Sequence, residues 1–220
     1  MSRIATRLIR GDSLAKALRL SQVVTYMSIQ AALKSLQGLG VLFPYQPSFT
    51  RSPPRRRLFL TARGESHRTE PQSATNVLCH KGLIHAALDR WVLGGRIYGE
   101  RKTRYLSDLC PPPSEVWEVR VVEPRVQQAR LFGRFAEPDT LILTAFHTRN
   151  LLGDKGSQAW TDAMADCVGQ WAAFVPMLPI FSGASIHEYV TENCDDFPIK
   201  ICTTNQPKPR KSGPGRIRRS

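Results

Sequence analysis

The 220-residue chain predicts an α+β domain. The expected form is a small curved antiparallel sheet with a helical hairpin and a further helix packed on it, plus basic N- and C-terminal extensions. Three observations carry this. Between residues 116 and 146, three strand-like runs follow one another across short Pro-containing turns. Two helix-like runs precede them and one follows. The ends of the chain also differ in composition from its middle. Residues 1–57 carry ten basic residues against one acidic, and 200–220 carry seven basic and none acidic. Residues 111–199 carry six basic against twelve acidic.

The elements follow in order. Ser13 caps a short helical run through Leu14, Ala17 and Leu18, and residues 23–36 form a second, with Val24, Met27, Ala31 and Leu33 or Leu36. The Arg-rich, acid-poor composition of 1–40 resembles an organellar transit peptide. A basic helical arm, or a translated stretch upstream of the domain, fits it equally. Residues 44–57 (PYQPSFTRSPPRRR) read as a Pro-rich linker, so 1–57 is assigned to an N-terminal extension. A first strand is expected at 58–62, and the polar residues 63–73 read as a loop. Residues 74–93 place Val77, Leu78, Ile84, Leu88, Trp91 and Val92 on one helical face, ended by Gly94-Gly95. A second helix is expected over 97–109, with Tyr98, Tyr105, Leu106 and Leu109 inward, stopped by Pro111 to Pro113. Strands at 116–122, 126–135 and 140–146 come next. Ser157 then caps a helix over 157–174 carrying Ala163, Cys167, Val168 and Trp171 on one side. The domain is thus bounded at 58–174, with an irregular extension at 175–199 and a disordered basic tail at 200–220.

Bulk properties narrow the function classes. The composition is 41% hydrophobic, enough for a core, and no segment reaches the ~20 apolar residues of a membrane span. A formal charge of +13 and a pI near 10.1 point to a polyanionic partner such as nucleic acid. Five cysteines without a CxxC spacing argue against a disulfide framework or zinc site and suggest a reducing compartment. GDKGS (153–157) lacks the order of a phosphate loop, and no GxSxG elbow accompanies Ser182, Ser185 and His187. Glu192, Asp195 and Asp196 read as a solvated loop. His80 and His85 miss the i,i+4 spacing of a metal pair. No metal and no cofactor are expected.

The chemistry-bearing residues lie on the three-strand meander. Strand alternation puts Glu118 and Arg120 on one face of the first, and Gln128, Arg130, Phe132 and Arg134 on one face of the second. Pairing Val122 with Val126 sets Arg120 opposite Gln128 and Glu118 opposite Arg130. Pairing Phe135 with Thr140 sets His147 opposite Gln128. Arg120, Gln128 and His147 then form one row, with Arg130 a step along. RNA cleavage without a metal needs a base, an acid and cations around the phosphorane, and His and Arg have the chemistry for these roles. The same residues also fit a solvated face on which Glu118 and Arg130 make an ordinary cross-strand ion pair.

WEVRV (117–121), RLFGRF (130–135) and LILTAFHTRN (141–150), ahead of an Ala-rich helix and after RYLSDL (104–109), resemble the RelE/ParE toxin superfamily, in particular its phage-derived HigB-like branch. The resemblance covers about 58–174, with its specific part at 104–171. It implies the toxin of a toxin–antitoxin module, a ribosome-dependent, metal-independent mRNA endonuclease of the cytoplasm held in check by a cognate antitoxin. By position, Arg130 falls on the arginine that contacts the scissile phosphate, and Arg120 on a basic position of the preceding strand. His147 and Arg149 fall in the basic loop that supplies an acid or base and a phosphate ligand. Arg149, Arg134 and Trp160 are the implied substrate contacts, Trp160 lying near an aromatic that stacks on a base. Glu118, however, stands where a second basic residue is usual, and the domain is acidic in its second half. An inactive, diverged member fits these departures. Two further readings remain: a non-catalytic ParE-like inhibitor, and a nucleic-acid-binding protein acting through its basic tails.

Overall fold

A computed structural model of the chain describes residues 28–48, 52–69, 81–100, 104–109, 115–122, 128–173 and 178–199. The run near Ser13, the beginning of the 23–36 helix, the 123–125 turn and the 200–220 tail lie outside the described residues. The described elements are α1 (Ile29–Gly38), β1 (Leu42–Pro44), β2 (Arg57–Thr61), α2 (Ala62–Thr69), α3 (Lys81–Val92), β3 (Leu106–Asp108) and β4 (Trp117–Val121). They continue with β5 (Ala129–Glu137), β6 (Thr140–Thr148), α4 (Arg149–Leu152), α5 (Gln158–Ala172) and α6 (Ile186–Tyr189).

The α+β class is the one expected. The strands form one six-stranded sheet in the order β1-β2-β6-β5-β4-β3. β2 runs parallel to β6, and every other neighbouring pair is antiparallel, so the sheet is mixed. The expected meander is its centre. β5 and β6 join through a two-residue turn, Pro138-Asp139, in which Asp139 takes φ 56. Such tight hairpins demand a left-handed residue, and Asp tolerates it. A register shift follows Phe132, where a Cβ on Gly133 would lie 2.3 Å from the Ile142 carbonyl oxygen. Only glycine fits there.

Both faces of the sheet are covered. On one, Leu131, Phe135, Trp117 and Val119 pack with Ile84, Leu88 and Trp91 of α3 and with Ile186, Tyr189 and Val190 around α6. Phe135 meets Trp91, Trp117 and Tyr189 at ring separations of 5.7, 5.3 and 5.1 Å. On the other face, Leu33 and Leu36 of α1 pack with Phe59 and Ile142, while Phe132 packs with Trp160, Met164 and Cys167 of α5. Ser157 caps α5 as expected, its Oγ accepting the Trp160 N–H at 3.3 Å.

Three sequence expectations change. The helix expected over 97–109 is not formed: Leu106–Asp108 is a strand paired with β4. Tyr105, Leu106 and Leu109 are buried as expected, but Tyr98 is exposed. Pairing with the open edge of β4 outweighs the helical spacing of a short apolar run. The hairpin's first member forms over the described residues as α3, its expected start at 74–80 with Val77 and Leu78 lying outside them, and Gly94 follows it at φ 73. The stretch 63–73, read as a loop, begins with α2. Finally, the sheet and its core extend beyond 58–174. Residues 29–44 supply α1 and edge strand β1, and Ile186, Tyr189, Val190 and Phe197 enter the core.

Candidate functional site

On the face covered by α5, Glu118 and Arg120 of β4 sit two residues apart and point the same way. Arg120 pairs with Arg130 of β5, and Arg130 with His147 of β6. Three of the expected residues therefore form one row across three adjacent strands. The row differs from the expected one by two positions, because Arg130 and not Gln128 lies between Arg120 and His147. A two-residue slip preserves the face, as a one-residue slip would not.

The centre of the cluster is Glu118, whose carboxylate is fully buried. One oxygen lies 3.3 Å from Arg130 Nε. The other accepts from Lys155 Nζ at 2.9 Å and lies 3.9 Å from Arg120 Nε. One negative charge thus holds three cations, leaving the cluster net positive. The expected surface ion pair of Glu118 with Arg130 exists, but it is buried.

Arg130 is 3% exposed. Its Nη1 donates to the Ala129 carbonyl at 2.8 Å and the Val121 carbonyl at 3.4 Å, and its Nη2 to Gln128 Oε1 at 3.2 Å. Burial, only partly offset by Glu118, pushes its pKa down to about 10, so it stays charged at neutral pH. Its two Nη groups donate within the protein while Nε is ion-paired with Glu118 without a hydrogen bond, which makes it a clamp between β4 and β5 in this structure. Arg120 is half-buried and donates to the Arg104 carbonyl at 3.3 Å.

His147 is half-buried, with its ring edge-on to Phe132 at 5.4 Å. Its Nε2 is buried and has no hydrogen-bond partner among the described residues. Burial first, then His67 and Arg63 nearby, push its pKa down to about 4. At pH 7 the ring is neutral, so it cannot serve as a ready general acid.

The solvent-facing side of the cluster comes from the loop before α5. The Lys155 side chain is 51% exposed. Arg149 lies 3.8 Å from Asp154, which is itself exposed. Both cations reach the Trp160 ring, Lys155 at 5.4 Å and Arg149 at 5.9 Å from its centroid. Trp160 is buried, packed on Phe132 at 5.4 Å, and donates Nε1–H to the Gly153 carbonyl at 3.2 Å. It supports the two cations from beneath and is not open to stack on a base. Arg134 lies on the same face, four residues further along β5, about 13 Å away at strand rise. It is buried over the Trp171 ring at 5.8 Å and stands apart from the row.

Sequence reasoning missed Lys155, because GDKGS reads as a loop and cap. It also missed the burial of Glu118, which depends on what α5 and its loop cover. Among the described residues, no group of three or more His, Cys, Asp or Glu side chains could hold a metal ion. No described helix is long and apolar enough to cross a membrane. No family model matches the sequence, and no curated protein or solved structure matches it either.

Proposed function

We propose that this is a RelE/ParE-like toxin domain that binds RNA on the ribosome through Lys155, Arg149 and Arg120, in a diverged form that holds phosphate without cleaving it. The observation that carries the reading is the row Arg120, Arg130 and His147 around buried Glu118, with Lys155 and Arg149 on its open side. Two features support the RNA part. The cluster is net positive, and its two most accessible cations both approach one indole, at 5.9 and 5.4 Å from its centre. Guanidinium and ammonium groups in that setting are phosphate ligands. Two features weigh against cleavage. The arginine best placed for a scissile phosphate is engaged with Glu118 and three backbone or amide oxygens. The only imidazole in the row is neutral and half-buried. The order of elements from β2 through α5 supports the family in part: a strand, two helices, the three-strand meander β4–β6 and a closing helix, with the short strand β3 added before the meander and the short helix α4 after it. On this reading a cognate antitoxin is the protein partner and the cytoplasm the site of action.

The test is anisotropy of a labelled single-stranded RNA with the full chain, as a function of salt, beside ribosome-dependent mRNA cleavage. Lys155→Ala with Arg149→Ala should reduce the slope of log affinity against log salt by roughly 1.4, about 0.7 per lost phosphate contact. No cleavage above background is expected from the wild type. An unchanged slope in the double variant would move RNA binding to the basic ends of the chain. Cleavage that disappears in His147→Ala would restore the catalytic reading.

A further inference from the structure

We propose that α2 supplies a second phosphate position for the same RNA, formed by the Arg63 guanidinium and the Nε2–H of His67, on the open side of β6 beside His147. The inference rests on the RNA-binding reading above and extends its site beyond the residues that reading uses.

The position arises where the sheet changes. β2 pairs with β6 only as far as Leu60 with Leu143. Past that point β6 has no strand on that side, and α2 takes the place of one. The Phe146 backbone N–H donates to His67 Nδ1 at 3.1 Å. A buried ladder donor is thereby satisfied by an imidazole instead of a carbonyl. This contact decides the tautomer. A ring that accepts at Nδ1 while neutral must carry its proton on Nε2, and so presents a donor.

His67 is also kept from charging. A second proton would have to sit on Nδ1, facing the Phe146 N–H. Burial and then Arg63 act in the same direction, lowering its pKa, with Asp166 opposing them. The charged or titratable groups facing it are Arg63 on its own helix, Asp166 on α5 and His147 on β6. His67 is therefore a neutral hydrogen-bond donor around pH 7.

Arg63 is placed beside it by helix geometry, four residues earlier and on the same face. Its Nη1 donates to Asp166 Oδ1 at 2.7 Å, and its side chain remains 48% exposed. Asp166 is in turn oriented by Gln170, whose Nε2 donates to the other carboxylate oxygen at 2.9 Å. Arg63 is thus aimed without being buried, the condition in which guanidinium recognises phosphate.

Helix α2 has little other reason to lie so close. Its one buried residue is Gly64, where a Cβ would lie 2.9 Å from the Leu143 carbonyl oxygen. Backbone proximity and polar contacts, not an apolar face, hold it against β6. Across the sheet, the row runs Arg120, Arg130, His147 and then α2. At ~4.8 Å per strand, four positions span about 14 Å, enough for a short single-stranded segment crossing the strands.

The experiment uses the full chain and the same labelled RNA. Arg63→Ala should weaken binding roughly tenfold and reduce the salt slope by about 0.7. His67→Ala should weaken binding with the slope unchanged, because a neutral donor releases no counterion. Should His67→Ala fail to fold, the wild-type chain labelled with 15N-histidine provides the second measurement. The His67 Nε2 resonance should show the Nε2–H tautomer and shift on adding RNA. Wild-type affinity in Arg63→Ala, together with an unmoved His67 resonance, overturns the inference if Lys155→Ala with Arg149→Ala still weakens binding. If that double variant also binds as wild type, the RNA-binding reading itself has failed.

Discussion

Replacing Glu118 by glutamine removes the carboxylate on which Arg120, Arg130 and Lys155 converge while keeping the volume of the side chain. The three contacts, at 3.9, 3.3 and 2.9 Å, set the size of the effect. At an effective dielectric of about 20, each such contact corresponds to roughly 4–6 kcal/mol of gross attraction. Much of this is offset by the cost of desolvating the buried carboxylate, and the Lys155 share is screened by solvent. What remains is governed by Arg130, a 3% exposed cation left without its counter-ion. Loss of one partner from a buried pair costs about 3–5 kcal/mol. For a chain of this length about 2–4 °C per kcal/mol is usual, so the melting temperature should fall by roughly 6–20 °C. Thermal unfolding followed by circular dichroism is the assay, with Lys155→Ala as the comparison. That variant removes a half-exposed contact and should cost about 1 kcal/mol or less. A Glu118→Gln protein that melts within about 2 °C of the wild type would refute the argument. It would mean that the carboxylate is hydrated in solution and the three cations do not depend on it.

Two further outcomes follow from the same sheet. His147 is held near pKa 4 when folded against an ordinary 6.5. Because the unfolded chain takes up the proton first, its contribution is complete above pH 6.5 and is lost as pH falls toward 4. Between pH 7 and 5 this amounts to at most roughly 2 kcal/mol. Urea titrations at the two pH values should show that loss in the wild type and a smaller one in His147→Asn, and equal losses would assign it to other groups. Gly133→Ala would push a Cβ to 2.3 Å from the Ile142 carbonyl oxygen and 2.9 Å from Leu143 Cδ2. The strand must move to admit it, at a cost of about 1–3 kcal/mol or more, and a change in urea midpoint equivalent to less than 0.5 kcal/mol would contradict the register.

Much of this molecule is legible in the residue order, for a local reason. Side chains alternate along a strand with period two, so Glu118 with Arg120, and Arg130 with Phe132, share a face whatever else the chain does. The even offset between expected and observed pairing left that face unchanged. Ser157 is equally local, because an N-cap needs only its own turn. The same holds for Trp171 and Cys167, whose helical spacing fixes their side of α5.

Tertiary structure decided the rest. The partner of Arg130 across the strands depends on where the β4–β5 connection and the Gly133 irregularity place the register, and no local signal measures that. Leu106–Asp108 within RYLSDL became a strand because β4 offered an unpaired edge to an apolar run that suits a helix as well. The polar helix α2 lacks the periodicity that reveals helices in sequence, and it is held by backbone contact at Gly64 and by one imidazole. Residues 29–44 look like an arm and linker by composition, yet they find an open edge at β2 and an apolar surface at Phe59 and Ile142. Above all, burial is non-local. The sequence by itself determined that Glu118 and the arginines share a face. Only the packing of α5 and its loop over that face decided that Glu118 is enclosed, that Arg130 is held as its counter-ion, and that Lys155 and Arg149 remain within reach of a ligand.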